Sequence, residues 1–484
     1  MEVFILEDTH VRLPKIGEIL FVLAIFMFIM TSSVIWFDLP FQLSMFVVWF
    51  VFIFFGIYLG YGYGELQSSI ASGIHKGLEA LFITITVGAL IGTWIAGGIV
   101  PSIIYYGLSI IHPNIFLLAT LIICSITSLV TGTSFGTVGT AGIAMMGIGA
   151  SFGFPLPLVA GAVVSGAYFG DKLSPVSDTT ILTSSLCEVD IMSHIKSMLH
   201  VSIPSYIIAG GLFTIVGFFY TDGSFEMASI QNNMNALTDH FNISWYMLIP
   251  LIIVLILLTM NKPAVPTIAF GALLGVIWTA LFQGIDVLSA LKTAYFGPGM
   301  ESGNEFINLL LNRGGIESML DVVIFIMLAL GFGGLMEKTG IITVVGNLIS
   351  RWVKNSTGRL SVSTIVSAFF GNLFGSAGYV SLITGSKMTV DNYDRLKIQR
   401  RVLSRNTEAG GTLTAAMVPW NENAIYMSAV LGVSTLAYLP FLWLAFISIA
   451  VAIIYGYTGL FMWKVEDGES EKAEEVEERE AKVE

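Results

Sequence analysis

From Ile16 onward the chain is a succession of apolar stretches about 20 residues long, divided by short polar connections. That pattern limits its fold more than any single motif does. A helix of this length crosses the hydrocarbon core of a bilayer. The 484 residues are 55% apolar and 12% charged, against about 25% charged in a soluble chain. Too few polar residues remain to wet the surface of a soluble domain, which excludes a cytosolic enzyme and a nucleic-acid binder. The net charge of −12 misleads, because residues 465–484 hold ten acids and three bases and supply −7 of it. Cys124 and Cys187 offer neither a disulfide framework nor metal-ligand spacing. The expected fold class is an all-α polytopic membrane protein, with the lipid bilayer as its surroundings.

Spans are expected at 16–37, 41–62, 79–111, 156–187, 198–220, 243–260, 264–282, 319–350, 400–431 and 434–460. The first is too long for a signal sequence and lacks a small-residue cleavage site. Two further stretches, 114–150 and 360–391, are dense in Gly, Ser and Thr at their midpoints and read as re-entrant hairpins. With the N-terminus inside, the inner segments then contain Arg12, Lys15, Lys76, Lys196, Lys262, Arg351, Lys354, Arg359, Lys387, Arg395, Lys397, Arg400, Arg401 and Lys464. Only Lys292 and Arg313 fall outside. This is the bias toward cytoplasmic cations that orients membrane proteins, and it places both termini in the cytoplasm.

The chain also resembles itself. Thr133–Gly139 lines up with Asn372–Gly378, Gly166–Thr179 with Gly410–Asn423, and Gly98-Ile99 with Gly340-Ile341. Five full crossings per half is an odd number, so the second half is expected to enter the membrane upside down. The expected organisation is a first inverted repeat over 1–220, an external connection over 221–242, a second repeat over 243–464 and an acidic cytoplasmic tail over 465–484. Inverted repeats with broken helices are the recurring plan of secondary transporters, whereas a passive channel does not need one. No Gly-x-x-x-x-Gly-Lys-Ser/Thr phosphate loop occurs, so the expected energy source is an ion gradient.

Polar residues inside apolar spans are costly and mark function. The run Gly166–Thr180 breaks the fourth span, and Pro175 within it removes an amide donor. Carbonyls, hydroxyls and carboxylates freed there are the hard oxygen ligands a small cation needs. Asp178 is the first candidate ligand and proton carrier, with Thr179 beside it; the alternative is a helix cap after the proline. Asp171 is a second site carboxylate or one half of a buried pair with Lys172. Lys172 is a possible charge partner that stands in for the ion, or a lysine reaching for the interface. In the second half Asn421, Glu422 and Asn423 follow Pro419, with Glu408 upstream. Thr133, Ser134 and Thr137 complete the set at the first hairpin tip. Glu337-Lys338 reads as an internal ion pair, and the six histidines as boundary residues without shared spacing.

The run Gly166–Thr180, together with Thr133–Gly139 and Pro419-Trp420-Asn421, strongly resembles the NhaC family of bacterial Na+/H+ antiporters. The resemblance covers essentially the whole membrane body. It implies inverted repeats with hairpins, often in a homodimer, and exchange of Na+ or Li+ for H+ at the bacterial inner membrane, with no cofactor. It also covers exchangers that couple Na+ and H+ to malate and lactate. A dicarboxylate needs a cationic counter-charge, for which Lys172, Lys338 and Arg405 are the candidates in the membrane body.

Overall fold

In hydrocarbon a backbone amide has no water to bond, so a spanning segment satisfies itself by winding into a helix. The computed structural model describes residues 11–37, 39–221, 227–260, 262–299, 308 and 314–465. Among these it is helical throughout, apart from one isolated bridge between Ile398 and Lys464. Among the described residues seven helices are long and apolar enough to cross a membrane, or nine if two sharply bent helix pairs each count as one span.

The first half begins with α1 (Ile16–Ile35), α2 (Phe41–Tyr58) and α3 (Tyr63–Lys76), followed by α4 (Leu78–Ala96) and α5 (Ile99–Ile110). A hairpin comes next: α6 (Phe116–Thr131) runs to the tip, and α7 (Ser134–Thr137), a π turn (Val138–Gly142) and α8 (Ile143–Ser151) return. Then come the broken pair α9 (Leu156–Leu173) and α10 (Asp178–Leu186), and α11 (Ile191–Thr221). The connection expected at 221–242 contains α12 (Met227–His240).

The second half runs through α13 (Ile249–Thr259), α14 (Ala264–Phe282) and α15 (Val287–Phe296) to α16 (Ile316–Lys338) and α17 (Ile341–Arg351). Its hairpin is α18 (Thr357–Gly375) and α19 (Gly378–Lys387), with α20 (Val390–Arg395) after it. The second broken segment is α21 (Arg400–Gly410), α22 (Thr412–Ala415) and α23 (Glu422–Leu431), and the chain closes with α24 (Thr435–Tyr438) and α25 (Trp443–Thr458). The acidic tail, from 466 on, lies outside the described residues.

Two details depart from the sequence reading. The helix α3 was not expected; it is too polar to span and lies along α16. The residues Glu337 and Lys338 do form ion pairs, but each with α3: Lys76 Nζ meets Glu337 Oε2 at 2.9 Å, and Lys338 Nζ meets Glu65 Oε1 at 3.2 Å. The Gly62 amide and then the Lys338 ammonium hold the Glu65 carboxyl below its usual range.

Each hairpin packs against the broken helix of its own half at backbone distance. A Cβ on Gly170 of α9 would lie 2.3 Å from the Ser125 carbonyl of α6, and one on Gly410 of α21 would lie 2.5 Å from the Ile365 carbonyl of α18. Small residues allow such approach between membrane helices. The Gly170→Ala variant is therefore expected to lose about 1–3 kcal/mol of stability through overpacking. Gly211→Ala, where nothing lies within 4 Å of the added carbon, is expected to change little. Thermal unfolding of the purified protein in detergent reads both, and equal midpoints would show that the approach is not tight.

Candidate cation and proton site

Pro175 sets the first break. Lacking an amide hydrogen, it cannot continue α9, and it holds Ser174 extended (φ −81°, ψ 126°). Ser177 is extended as well (φ −75°, ψ 135°), and α10 starts on Asp178. Thr180 Oγ1 donates to the Asp171 and Lys172 carbonyls that the break leaves open, at 3.4 and 3.2 Å.

The hairpin tip lies against this break. Gly132 ends α6 in the left-handed region (φ 69°), and Thr133 is extended ahead of α7. The Ser134 amide, first in its helix and without an intrahelical acceptor, donates to Asp171 Oδ2 at 3.2 Å. Ser177 Oγ donates to Asp171 Oδ1 at 2.6 Å and lies 3.1 Å from Thr179 Oγ1. The carboxylate of Asp171, 5% exposed, thus joins tip and break.

The second half repeats this. Ser376 ends α18 in the left-handed region (φ 55°), Ala377 is extended, and the Gly378 amide donates to Glu422 Oε1 at 3.2 Å. The Glu422 amide in turn donates to the Ser376 carbonyl at 3.0 Å. Behind the tip, Asn421 Nδ2 donates to Asn372 Oδ1 at 3.1 Å, and Asn372 Nδ2 donates to the Gly411 carbonyl at 2.7 Å. Glu422 Oε2 is buried without a hydrogen-bond partner among the described residues. Ser376, Ala377 and Gly378 lie 244 residues after Gly132, Thr133 and Ser134, the same spacing that relates Ser177-Asp178 to Asn421-Glu422. The tip geometry thus recurs five residues away from the spacing of 239 at which glycine-rich similarity aligns the two tips.

Tips and breaks wall a cavity of about 490 Å³. Of the candidates from sequence, it brings together Thr133, Ser134, Asp171, Asp178, Thr179, Glu422 and Asn423. Asp178 is exposed at the rim, while Asp171 and Glu422 are enclosed. Four candidates do not line the cavity. Thr137 is buried, with its hydroxyl bonded to the Thr133 carbonyl at 2.9 Å. Asn421 caps α23 by accepting from the Asn423 amide at 3.0 Å. Glu408 and Lys172 belong to a separate buried cluster. There Glu408 accepts from Thr183 at 2.9 Å and from Thr412, and its Oε1 lies 4.0 Å from His194 Nε2. Lys172, 2% exposed, makes no direct ion pair among the described residues, and Glu408 is the charge it feels. His194, read from sequence as a boundary residue, is fully buried and 2.8 Å from Ser404 Oγ.

Sequence reading missed the two tyrosines that tie the halves together. Tyr168, three residues before Asp171, donates to Asn423 Oδ1 at 3.2 Å. Tyr426, one turn after Glu422, donates to the Phe135 carbonyl at 2.8 Å, next to the Ser134 amide that holds Asp171. Asp171, the first tip, Tyr426, α23, Asn423 and Tyr168 thus close a ring. Aromatic residues in apolar spans carry no periodic signal, so only the proximity of Tyr168 to the Asp171 motif pointed to it. The wall residues Lys76, Glu79 and Lys262 were also missed as site residues.

The family model described as "Na+/H+ antiporter family" matches residues 11–187 and 166–460, and the chain belongs to that family. It is 55% identical over 453 residues to the "Malate-2H(+)/Na(+)-lactate antiporter" of Bacillus subtilis (strain 168), covering 94% of this chain and 97% of that one. It is 35% identical over 450 residues to the "Na(+)/H(+) antiporter NhaC" of Alkalihalophilus pseudofirmus, covering 93% and 97%.

The Phe135 carbonyl also accepts from the Val138 amide, so Tyr426→Phe removes one half-buried bond without orphaning its acceptor and is expected to cost about 0.5–1.5 kcal/mol. If the ring acts as a unit, Tyr168→Phe and Tyr426→Phe combine non-additively by about 0.5 kcal/mol or more. A double-mutant cycle of unfolding midpoints measures this; strict additivity would mean that the two bonds are independent.

Proposed function

We propose that the protein is a secondary antiporter exchanging Na+, or Li+, for H+ across the bacterial inner membrane by alternating access. One observation carries the reading. Two enclosed carboxylates, Asp171 and Glu422, each give one oxygen to the first amide of a hairpin's return helix, beside the same cavity. A buried carboxylate without a counter-charge is costly. A proton or a cation each relieves that cost, and the two compete for one group, which is the simplest exchange chemistry. Asp171 is the principal ligand, with the hydroxyls of Ser177, Thr133 and Thr179 to supply further hard oxygens. Glu422, with one carboxyl oxygen unbonded, is the second carrier, and Asp178 at the rim receives the incoming ion.

The repeated tip-and-break device supports two halves of inverted topology, one permitting an opening to each side. Lys76 and Lys262 line the mouth; on the reading that cation-rich segments are cytoplasmic, this conformation opens to the cytoplasm. Both termini are then cytoplasmic, and the working unit is a homodimer in the bilayer.

A second reading adds a small organic acid to the exchange. A volume of about 490 Å³ far exceeds the need of a bare cation, and a relative of 55% identity is named for malate and lactate. The two readings share Asp171 and Glu422.

Purified protein in proteoliposomes with an internal pH dye tests both. Na+ or Li+ is expected to move protons in the wild type. Asp171→Asn and Glu422→Gln are expected to abolish the response, whereas Asp178→Asn raises the half-saturating Na+ concentration by about five-fold or less, as befits an exposed charge. Wild-type rates in Asp171→Asn would refute the assignment. A response only when malate or lactate accompanies Na+ would establish the second reading.

A further inference from the structure

The cavity's rim is not of one sign. Glu79 and Asp178 repel one another on it, while Lys76 and Lys262 stand on it from two other segments, the end of α3 and the link between α13 and α14. Cation binding gains nothing from lysines at the mouth, whereas beside a lining that also carries Glu79, Asp171, Asp178 and Glu422 the two ammonium groups are local partners for the carboxylate of a small anion.

The two lysines differ in readiness. Lys262 is exposed and makes no ion pair among the described residues. Lys76 is bonded to Glu337 at 2.9 Å, with the two side chains 37% and 53% exposed, and its ammonium lies 5.5 Å from the centre of the Tyr379 ring, another wall residue. An ion pair so exposed is worth little, and an arriving carboxylate replaces Glu337 at small cost. The other cations considered from sequence are elsewhere. Lys338 is held by Glu65, Arg405 donates to the Phe461 carbonyl at 3.2 Å, and Lys172 lies in the buried cluster with Glu408.

We propose that Lys76 and Lys262 form a carboxylate-binding subsite at the cavity mouth, which takes a small hydroxy- or dicarboxylic acid while Asp171 and Glu422 take the cation and the proton. The inference rests on the second reading above and assigns it residues. In it the rim lysines determine whether an organic anion enters, and the enclosed carboxylates determine coupling. A substrate with two carboxylates engages both lysines; a monocarboxylate engages Lys262, whose ammonium is already free.

The test uses the full-length protein in proteoliposomes, with L-malate, L-lactate and Na+ as separate probes. Lys262→Gln is expected to raise the half-saturating concentration of the organic acids roughly ten-fold, the scale of one charge-assisted hydrogen bond, and the Lys76→Gln/Lys262→Gln double variant further for malate than for lactate. The half-saturating Na+ concentration is expected to stay within two-fold, about the scatter of an exposed charge change, and Lys262→Arg is expected to restore organic-acid affinity. Wild-type organic-acid affinity in the double variant, with uptake intact, overturns the subsite alone. Wild-type protein that exchanges Na+ for protons but moves neither acid overturns the second reading and the subsite together. Should Lys76→Gln disturb the α3–α16 contact, Lys262→Gln, which breaks no ion pair, carries the test by itself.

Discussion

A polypeptide that leaves the helical state inside a membrane exposes amides and carbonyls which no solvent satisfies. This structure meets that obligation by putting its irregular segments against each other. The amides freed at the two hairpin tips bond the carboxylates freed at the two helix breaks, Ser134 to Asp171 and Gly378 to Glu422. The Pro175 break, the left-handed Gly132 and Ser376, and the close approach allowed by Gly170 and Gly410 all serve that mutual satisfaction.

Two polar systems meet at one residue. The cavity holds the enclosed carboxylates Asp171 and Glu422, and the Lys172, Glu408 and His194 cluster lies behind it, with hydroxyls of Thr183 and Thr412 on Glu408. Thr412 belongs to both, lining the cavity and bonding Glu408. The tyrosine bonds from Tyr168 and Tyr426 cross between the halves.

Much of this was legible in the sequence because lipid makes strict demands. Apolar length fixed most spans, and proline and glycine fixed both breaks. The cost of intramembrane charge drew attention to Asp178 first, and to Asp171, Glu422, Glu408 and Lys172 with it. What escaped did so for physical reasons. The register of the second tip depends on φ at Ser376, a residue type that gives no hint of the left-handed region. Asp178 looked like the main ligand because it follows the proline, yet the four-residue break turns it to the rim and leaves Asp171 enclosed. Lys172 and Asp171 are adjacent in sequence but enter different polar systems, because successive residues on a helix point about 100° apart. Contacts between distant segments, such as Tyr426 with Phe135 or Lys76 with Glu337, have no local signature at all.

Family membership agrees with cation-coupled exchange without dictating the cargo, since relatives named for sodium alone and for malate and lactate both match nearly the whole chain. The most direct measurement is therefore of the ion itself: equilibrium binding of radioactive 22Na+ to the purified protein, by scintillation proximity, across a range of pH. The account predicts saturable binding that protons displace as pH falls and that disappears when Asp171 is replaced by Asn. Binding indifferent to pH, or undiminished without the Asp171 carboxylate, would contradict it.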